Sequence, residues 1–252
     1  IDNRPKHTFN FPPISENHLS HLVWPAGHRF AGEPIVLRDY QVQAINDCIN
    51  NLQGITVAPT SSGKTIVTAT LSLLAEQYGR TIVIVPNKSL VTQTEDDYRN
   101  MGLDVGVYFG DRKEWGRTHT ICTWQSLNIL DKKSKNSEYE ILTLAEFLDG
   151  VCAVIVDEVH MAKAEVLKNL LTHNLCNAPI RWGLTGTVPK QPFEFQSIFA
   201  SIGQVVGGIK AHELQEIGVL SQCHVNVMQL LDIEAFRSYA EEVKYLVTDR
   251  KS

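Results

Sequence analysis

The feature that most constrains this chain is the eight-residue segment Ala58-Pro59-Thr60-Ser61-Ser62-Gly63-Lys64-Thr65. A short β-branched run, Ile55–Ala58, leads into it, and a stretch with helical character, Lys64–Tyr78, leads out. Strand, loop of this spacing and helix together are the layout of a phosphate-binding loop, here with Ala58 where the general pattern begins on glycine. The physics favours an anion there. Backbone N–H groups of the loop and of the first helical turn converge on one point, and the helix macrodipole adds partial positive charge. Pro59, Thr60, Ser61 and Ser62 then form the cradle, and Gly63 allows close backbone approach. Lys64 would reach β- and γ-phosphates, and the Thr65 hydroxyl would ligate Mg²⁺. The plainer alternative is a Ser/Thr turn that only caps a helix.

A second signal favours the richer reading. Asp157-Glu158-Val159-His160 directly follows the apolar run Val151–Val156. A carboxylate at the carboxyl end of a parallel strand sits in the crevice where open α/β sheets bind ligands. Asp157 is placed to hold Mg²⁺, usually through water. Glu158 can orient and deprotonate an attacking water, and His160 lies within reach of whatever senses the γ-phosphate.

The rest of the chain fits an α/β domain. Apolar runs at Thr81–Val85, Val105–Phe109, Thr118–Thr123, Val151–Val156 and Ile180–Leu184 read as strands. Helical periodicity falls on Asp39–Leu52, Ser89–Met101, Ala162–Leu171, Phe193–Ile202 and Lys210–Ile217. Continuous apolar strands alternating with amphipathic helices predict a mostly parallel sheet with helices on both faces. Residues 1–36, rich in proline, read as a linker or the end of an upstream module, with one short helix near Ser15–Leu22 capped by Ser15. Asp131–Glu140, with Lys132, Lys133 and Lys135, reads as a polar loop. A return strand is expected near Cys223–Leu230.

Composition removes several classes. Lys plus Arg number 23 against 28 Asp plus Glu, a formal charge of −5, so bulk positive charge cannot hold this chain on nucleic acid, although a local groove could. The five cysteines contain no Cys-x-x-Cys pair and, with scattered histidines, assemble no zinc spacing. Reduced, cytoplasm-like surroundings are the simplest expectation. No apolar run approaches the roughly 20 residues of a membrane span, and no signal segment opens the chain, so no membrane association is expected.

Taken in order, the motifs resemble the first motor domain of superfamily 2 helicases of the DEAD/DEAH-like kind, a RecA-like fold. The resemblance spans about Leu37 to Leu230. Leu37-Arg38-Asp39-Tyr40-Gln41 resembles the family's adenine-reading segment, which implies that Gln41 pairs with the adenine edge and that Arg38 supports the pocket. Val85-Pro86-Asn87-Lys88-Ser89-Leu90-Val91-Thr92-Gln93 resembles motif Ia, and Thr123-Trp124-Gln125-Ser126-Leu127 resembles motif Ib. The resemblance implies nucleic-acid backbone contacts from Pro86, Asn87, Lys88, Gln93, Thr123 and Gln125. Leu184-Thr185-Gly186-Thr187 resembles motif III, implying that Thr185, Gly186 and Thr187 couple the ATP state to nucleic acid. Val159 departs from the family's usual Ala or Cys. Within the superfamily the chain is most similar to tailed-phage UvsW-type recombination helicases, in part through Ser238–Lys244, which resembles their bridge between motor domains.

The resemblance implies an ATP- and Mg²⁺-using motor acting on nucleic acid, DNA before RNA, in the cytoplasm of a prokaryotic or phage-infected cell. Residues 37–230 would be the ATP-binding domain and 231–252 a bridge toward a second RecA-like domain, whose motifs do not follow Thr187. The chain alone is then expected to hydrolyse ATP poorly, because an arginine finger is worth about 10³–10⁵ in rate. Three rivals remain at this stage: a restriction-type translocase, a small-molecule phosphotransferase and a non-enzymatic ATP-gated module.

Overall fold

A computed structural model describes residues 9–136, 142–161, 168–187, 192–222, 226 and 236–245. The chain divides into two compact units, Ile1–Leu220 and Ser221–Ser252.

The first unit is built on one eight-stranded sheet. Its strands are β1 (Gln53–Val57), β2 (Arg80–Val85), β3 (Val105–Phe109), β4 (Arg112–Lys113), β5 (His119–Thr123), β6 (Val151–Val156), β7 (Ile180–Thr185) and β8 (Val205–Gly208). They lie in the order β4-β3-β5-β2-β6-β7-β1-β8, and every pair is parallel except β3 with β4. The mostly parallel sheet with helices on both faces agrees with the fold read from the sequence.

Both faces are covered, which is why the central strands read as unbroken apolar runs. Period-2 alternation splits them between two cores. Val83, Val85, Ile155, Trp182 and Leu184 join one cluster, whereas Ile82, Ile84, Val154 and Val156 join the other. On the first face pack α1 (Asp39–Asn50), α2 (Lys64–Ala75) and α3 (Lys88–Asn100), through Ile45, Leu71 and Val91. On the second pack α4 (Trp124–Asn136), α5 (Leu144–Leu148) and α6 (Pro192–Ser201), through Leu127, Phe147 and Ile198.

Residues 9–36, read from sequence as a linker or the end of an upstream module, pack onto the first core within the same unit. Ile14, Leu19 and Ile35 are buried, and Phe9, Phe11 and Trp24 lie against the cluster. The short helix there is a 3-10 turn, Glu16–Leu19, and the Ser15 side chain makes no capping bond, contrary to expectation. Nor is the lysine-rich stretch a loop. Residues 131–136 continue α4, because Leu127 and Leu130 form a buried stripe three residues apart. Lys135 Nζ pairs with Asp131 at 2.7 Å one turn back, and the Ser134 hydroxyl donates to Leu130 O at 2.7 Å. Dense charge on the outer face hid a narrow apolar one.

Two edge strands went unread. β4 has only two residues. β8 carries Gly207 and Gly208, where a Cβ would stand 2.1 Å from Asp47 Oδ2 and 2.6 Å from Val57 O, so only glycine lets this strand lie against β1. The expected strand at Cys223–Leu230 and residues 162–167 of the expected helix Ala162–Leu171 lie outside the described residues, while Leu170–Asn174 form a π-helical turn. After β8 comes α7 (Ala211–Glu216), as read. In the second unit, α8 (Tyr239–Lys244) is capped by Ser238, whose hydroxyl accepts from Glu241 N–H at 3.3 Å. Among the described residues no helix is long and apolar enough to cross a membrane.

Candidate nucleotide site and nucleic-acid edge

Parallel register brings the motifs into one row. Val85 pairs with Thr123, Ile84 with Val156, Val156 with Gly183, and Val57 with Thr185. The carboxyl ends of β5, β2, β6, β7 and β1 therefore lie side by side along a single sheet edge. In that order they carry the motif Ib segment, the motif Ia segment, Asp157-Glu158, Thr185-Gly186-Thr187 and the phosphate loop.

The loop leaves β1 at Ala58, whose N–H donates to Thr185 O at 2.8 Å. Ser61 has φ +66° and Gly63 φ +83°, so the chain passes twice through the left-handed region before α2 begins at Lys64. A Cβ on Gly63 would stand 2.6 Å from Gln41 Nε2. Three side chains of the 38–41 segment hold the loop from behind. Gln41 Nε2 donates to Ser62 O at 3.2 Å, and the Tyr40 hydroxyl donates to the same oxygen at 2.8 Å. Arg38 Nη1 in turn donates to the Tyr40 hydroxyl at 2.8 Å, and Arg38 N–H donates to Gln41 Oε1 at 2.9 Å. Gln41 is thus a brace of the phosphate loop as well as the residue expected at the adenine.

Sequence reasoning missed Tyr40, although it lies inside the quoted segment. Its Tyr40→Phe variant should lose the bond to Ser62 O without losing the ring. ATP affinity is expected to fall roughly fivefold, about what one net hydrogen bond is worth. An unchanged dissociation constant by calorimetry would show that the loop holds its shape without that hydroxyl.

Beyond the loop, Lys64 Nζ bonds to Glu158 Oε1, with side chains only 9% and 15% exposed. Glu158 reaches back because its own φ is +48°, a left-handed turn uncommon for a non-glycine residue. Its second oxygen accepts from Gly186 N–H at 3.3 Å and lies 3.4 Å from His160 Nδ1. Thr185 Oγ1 spends its one proton on Thr187 O at 2.7 Å, so His160 Nδ1, also at 2.7 Å, is the donor to that hydroxyl. Lys64, Glu158, His160, Thr185 and Gly186 thus form one connected cluster.

Asp157 lies beside it, and its carboxylate accepts from Glu158 N–H at 2.9 Å. Burial pushes the Asp157 carboxyl above its usual range. Lys64 opposes that push, and the neighbouring Glu158 charge adds to it. A divalent cation would relieve both unfavourable causes, so the Asp157 carboxylate suits the Mg²⁺ expected there. A Cβ on Gly186 would stand in ordinary contact with Ala58 O at 3.5 Å and with Lys64 Nζ and Thr60 N at 3.6 Å, so the end of β7 lies close against the loop.

A cavity of about 490 Å³ opens alongside, lined by Arg38, Gln41, Ser61, Gly63 and Thr65. Its outer wall is the 24–36 stretch. Trp24 stacks on His28 with ring centroids 4.0 Å apart, and the Arg29 guanidinium lies 4.5 Å over the Phe30 ring. These aromatics were not among the site residues read from sequence, because their segment had been set apart from the domain.

Along the other half of the edge, Asn87 caps α3, its Oδ1 accepting from Leu90 N–H at 3.0 Å, while Lys88 and Gln93 are exposed. Thr123 is buried, and its hydroxyl accepts from Ser126 N–H at 3.3 Å at the start of α4. Pro86 is also buried. Gln125 is exposed, and its Nε2 lies 3.5 Å from Pro86 O, which ties the Ib segment to the Ia segment. Asn87, Lys88, Gln93 and Gln125 are therefore the exposed residues of this group, and Pro86 and Thr123 the buried ones.

The sequence pattern of the family described as "Type III restriction enzyme, res subunit" matches residues 34–190. A DNA 3'-5' helicase XPB of Kineococcus radiotolerans is 32% identical over 171 residues, which is 66% of this chain and 29% of that protein. The ATP-dependent DNA helicase uvsW of Enterobacteria phage T4 is 22% identical over 224 residues, covering 82% of this chain and 42% of the relative. The match thus spans less than half the length of these relatives. A crystal structure of the UvsW helicase from bacteriophage T4 shares the fold, with a TM-score of 0.58 and 20% identity over 70% of this chain and 61% of that one. Sheet order, motif row and sequence pattern agree: the chain belongs to the type III restriction enzyme res-subunit family and is a first RecA-like motor domain of superfamily 2.

Proposed function

We propose that this chain is the ATP-binding half of a DNA-dependent motor, hydrolysing ATP to move or remodel DNA in recombination or repair. The observation that carries the reading is the Lys64–Glu158 pair, which joins the phosphate loop to the acidic residue beside β6. Nucleotide phosphates would compete with Glu158 for Lys64. Binding would then free Glu158 to orient and deprotonate a water, and Lys64 would turn to the β- and γ-phosphate oxygens. Loop N–H groups held by Tyr40 and Gln41 would bind the remaining phosphate oxygens. The base would lodge between Gln41 and the Trp24–Phe30 wall. Mg²⁺ held by Thr65 and, through water, Asp157 would supply charge neutralisation at the phosphoryl oxygens.

The Glu158–His160–Thr185 chain of contacts supports a route from the γ-phosphate to the strand ends where DNA would lie. Asn87, Lys88, Gln93 and Gln125 are the exposed side chains we assign to the DNA backbone. Such contacts position a strand without reading its sequence, and one lysine with polar amides on an acidic protein suits a motor that grips one strand locally. DNA rather than RNA is favoured by the printed names of the relatives, and a second RecA-like domain would complete the ATP cleft. The family description keeps a restriction-type translocase as the second reading. Strand separation with DNA-stimulated turnover favours the helicase, and stimulated turnover without separation favours the translocase.

The first test is the thermal shift of this chain with Mg-ATP. At about tenfold excess over the dissociation constant, binding should stabilise by roughly 1.4 kcal/mol, a rise of about 3–6 °C. Lys64→Ala should abolish it. A shift that survives in Lys64→Ala would place the nucleotide elsewhere.

A further inference from the structure

The cavity beside the phosphate loop has a wall to which the ATP reading gives no role. Asp97 and Asn100 line it from the last turn of α3, three residues apart on one helix face, and Met101, which ends the helix, lines it beside them. Gln41 lines the same cavity from α1, and α2, which contributes Thr65 and Ile66, packs against both helices. The Asp97 carboxylate has no hydrogen-bond or ion-pair partner among the described residues, although Arg29, Arg38 and His28 line the same space. Burial pushes this carboxyl above its usual range, and the Asp96 charge beside it adds to the push. Asp97 is half-buried, so water can satisfy its carboxylate while the cavity is open; a ligand that fills the cavity would displace that water and must supply a donor at this position.

The ligand can supply one. Phosphate oxygens are anionic acceptors that Asp97 would repel, and the loop fixes them at Gly63–Thr65. Donors are found only on the nucleoside, as ribose hydroxyls or an exocyclic base amine. We infer that Asp97 is a specificity-determining residue of the nucleotide site, its carboxylate accepting a hydrogen bond from a donor group of the bound nucleoside. This rests on the ATP reading above. It also places a nucleoside contact on α3, the helix that begins at the motif Ia segment, so one rigid element would touch both ligands.

The test is calorimetric titration of this chain and of Asp97→Ala with the Mg²⁺ complexes of ATP, 2′-deoxy-ATP, 3′-deoxy-ATP and inosine triphosphate. The wild-type chain should bind at least one analogue about tenfold more weakly than ATP, the size expected when a charged acceptor loses its donor. A deoxy analogue would identify a ribose hydroxyl, and inosine triphosphate the base amine. Asp97→Ala should bind ATP about tenfold more weakly and lose that discrimination. A purely structural role would not move the ratio between analogues. Melting without ligand reports whether the variant folds; should it not, Asp97→Asn keeps the shape, removes the charge and should narrow the same ratio. Wild-type indifference to all three analogues, or a variant that discriminates as wild type does, overturns the assignment of Asp97. Failure of the wild-type chain to bind any nucleotide overturns the ATP reading itself, and this inference with it.

Discussion

Glu158→Gln is expected to separate binding from hydrolysis. The carboxylate pairs with Lys64, and in the proposed mechanism it would also act as the base toward the attacking water. The amide keeps the size and can still accept from Gly186 N–H, which Glu158 Oε2 holds at 3.3 Å. It cannot take a proton, and it holds Lys64 less firmly. Hydrolysis should therefore fall by about 10²–10⁴, the usual worth of a positioned general base. ATP affinity should stay level or rise, because the phosphates no longer compete with a carboxylate for Lys64. Single-turnover hydrolysis is the appropriate readout, since it isolates the chemical step, with calorimetry for affinity. Wild-type turnover in the variant would remove Glu158 from the chemistry. Lost affinity would instead mean that the Lys64–Glu158 pair builds the loop rather than guarding it.

Trp182→Ala should be the most destabilising of the single changes considered. Trp182 lies on β7 in the middle of the sheet, fully buried, and its ring meets Phe11 at 5.9 Å. Its indole N–H donates to Cys48 O at 2.8 Å and to Asn51 O at 3.1 Å, so it also closes the carboxyl end of α1. Truncation leaves a large cavity, at a cost of about 3–5 kcal/mol, and deprives two carbonyls of a donor. For a domain of this size that corresponds to a melting temperature lower by roughly 10 °C. Trp115, 47% exposed, is the control, and its alanine variant should stay within about 0.5 kcal/mol of wild type. A Trp182→Ala melting point within about 2 °C of wild type would contradict this account of the core.

The elements readable beforehand were those with strong local patterns. The strand at Val151–Val156 announced itself because both faces are buried and every residue is apolar. The loop before Lys64 did so because only a few residue types suit a phosphate cradle at that spacing. Helix α4 escaped because its buried stripe, Leu127 and Leu130, is narrow beside three lysines. β8 escaped because Gly207 and Gly208 carry no β propensity; they are glycine for close packing against Asp47 and Val57. The 24–36 wall of the cavity escaped for a related reason. Its prolines and glycines look like a linker until Trp24 and Ile35 are seen resting on a core assembled from distant strands.

By itself, then, the sequence determined the chemistry at each strand end: a cation and hydroxyl at Lys64 and Thr65, carboxylates at Asp157 and Glu158, a hydroxyl at Thr185. It also determined the alternation that makes the sheet parallel. Only the tertiary structure decided that β7 lies between β1 and β6, which brings Thr185 and Gly186 against both the phosphate loop and Glu158. It likewise decided that Tyr40 braces Ser62 and that Asp97 faces the cavity. The physical reason is one of range. Periodicity, capping and loop chemistry act over a few residues and leave their mark in consecutive positions. Strand order and cavity walls depend on pairings between segments tens of residues apart, whose partners no local pattern names.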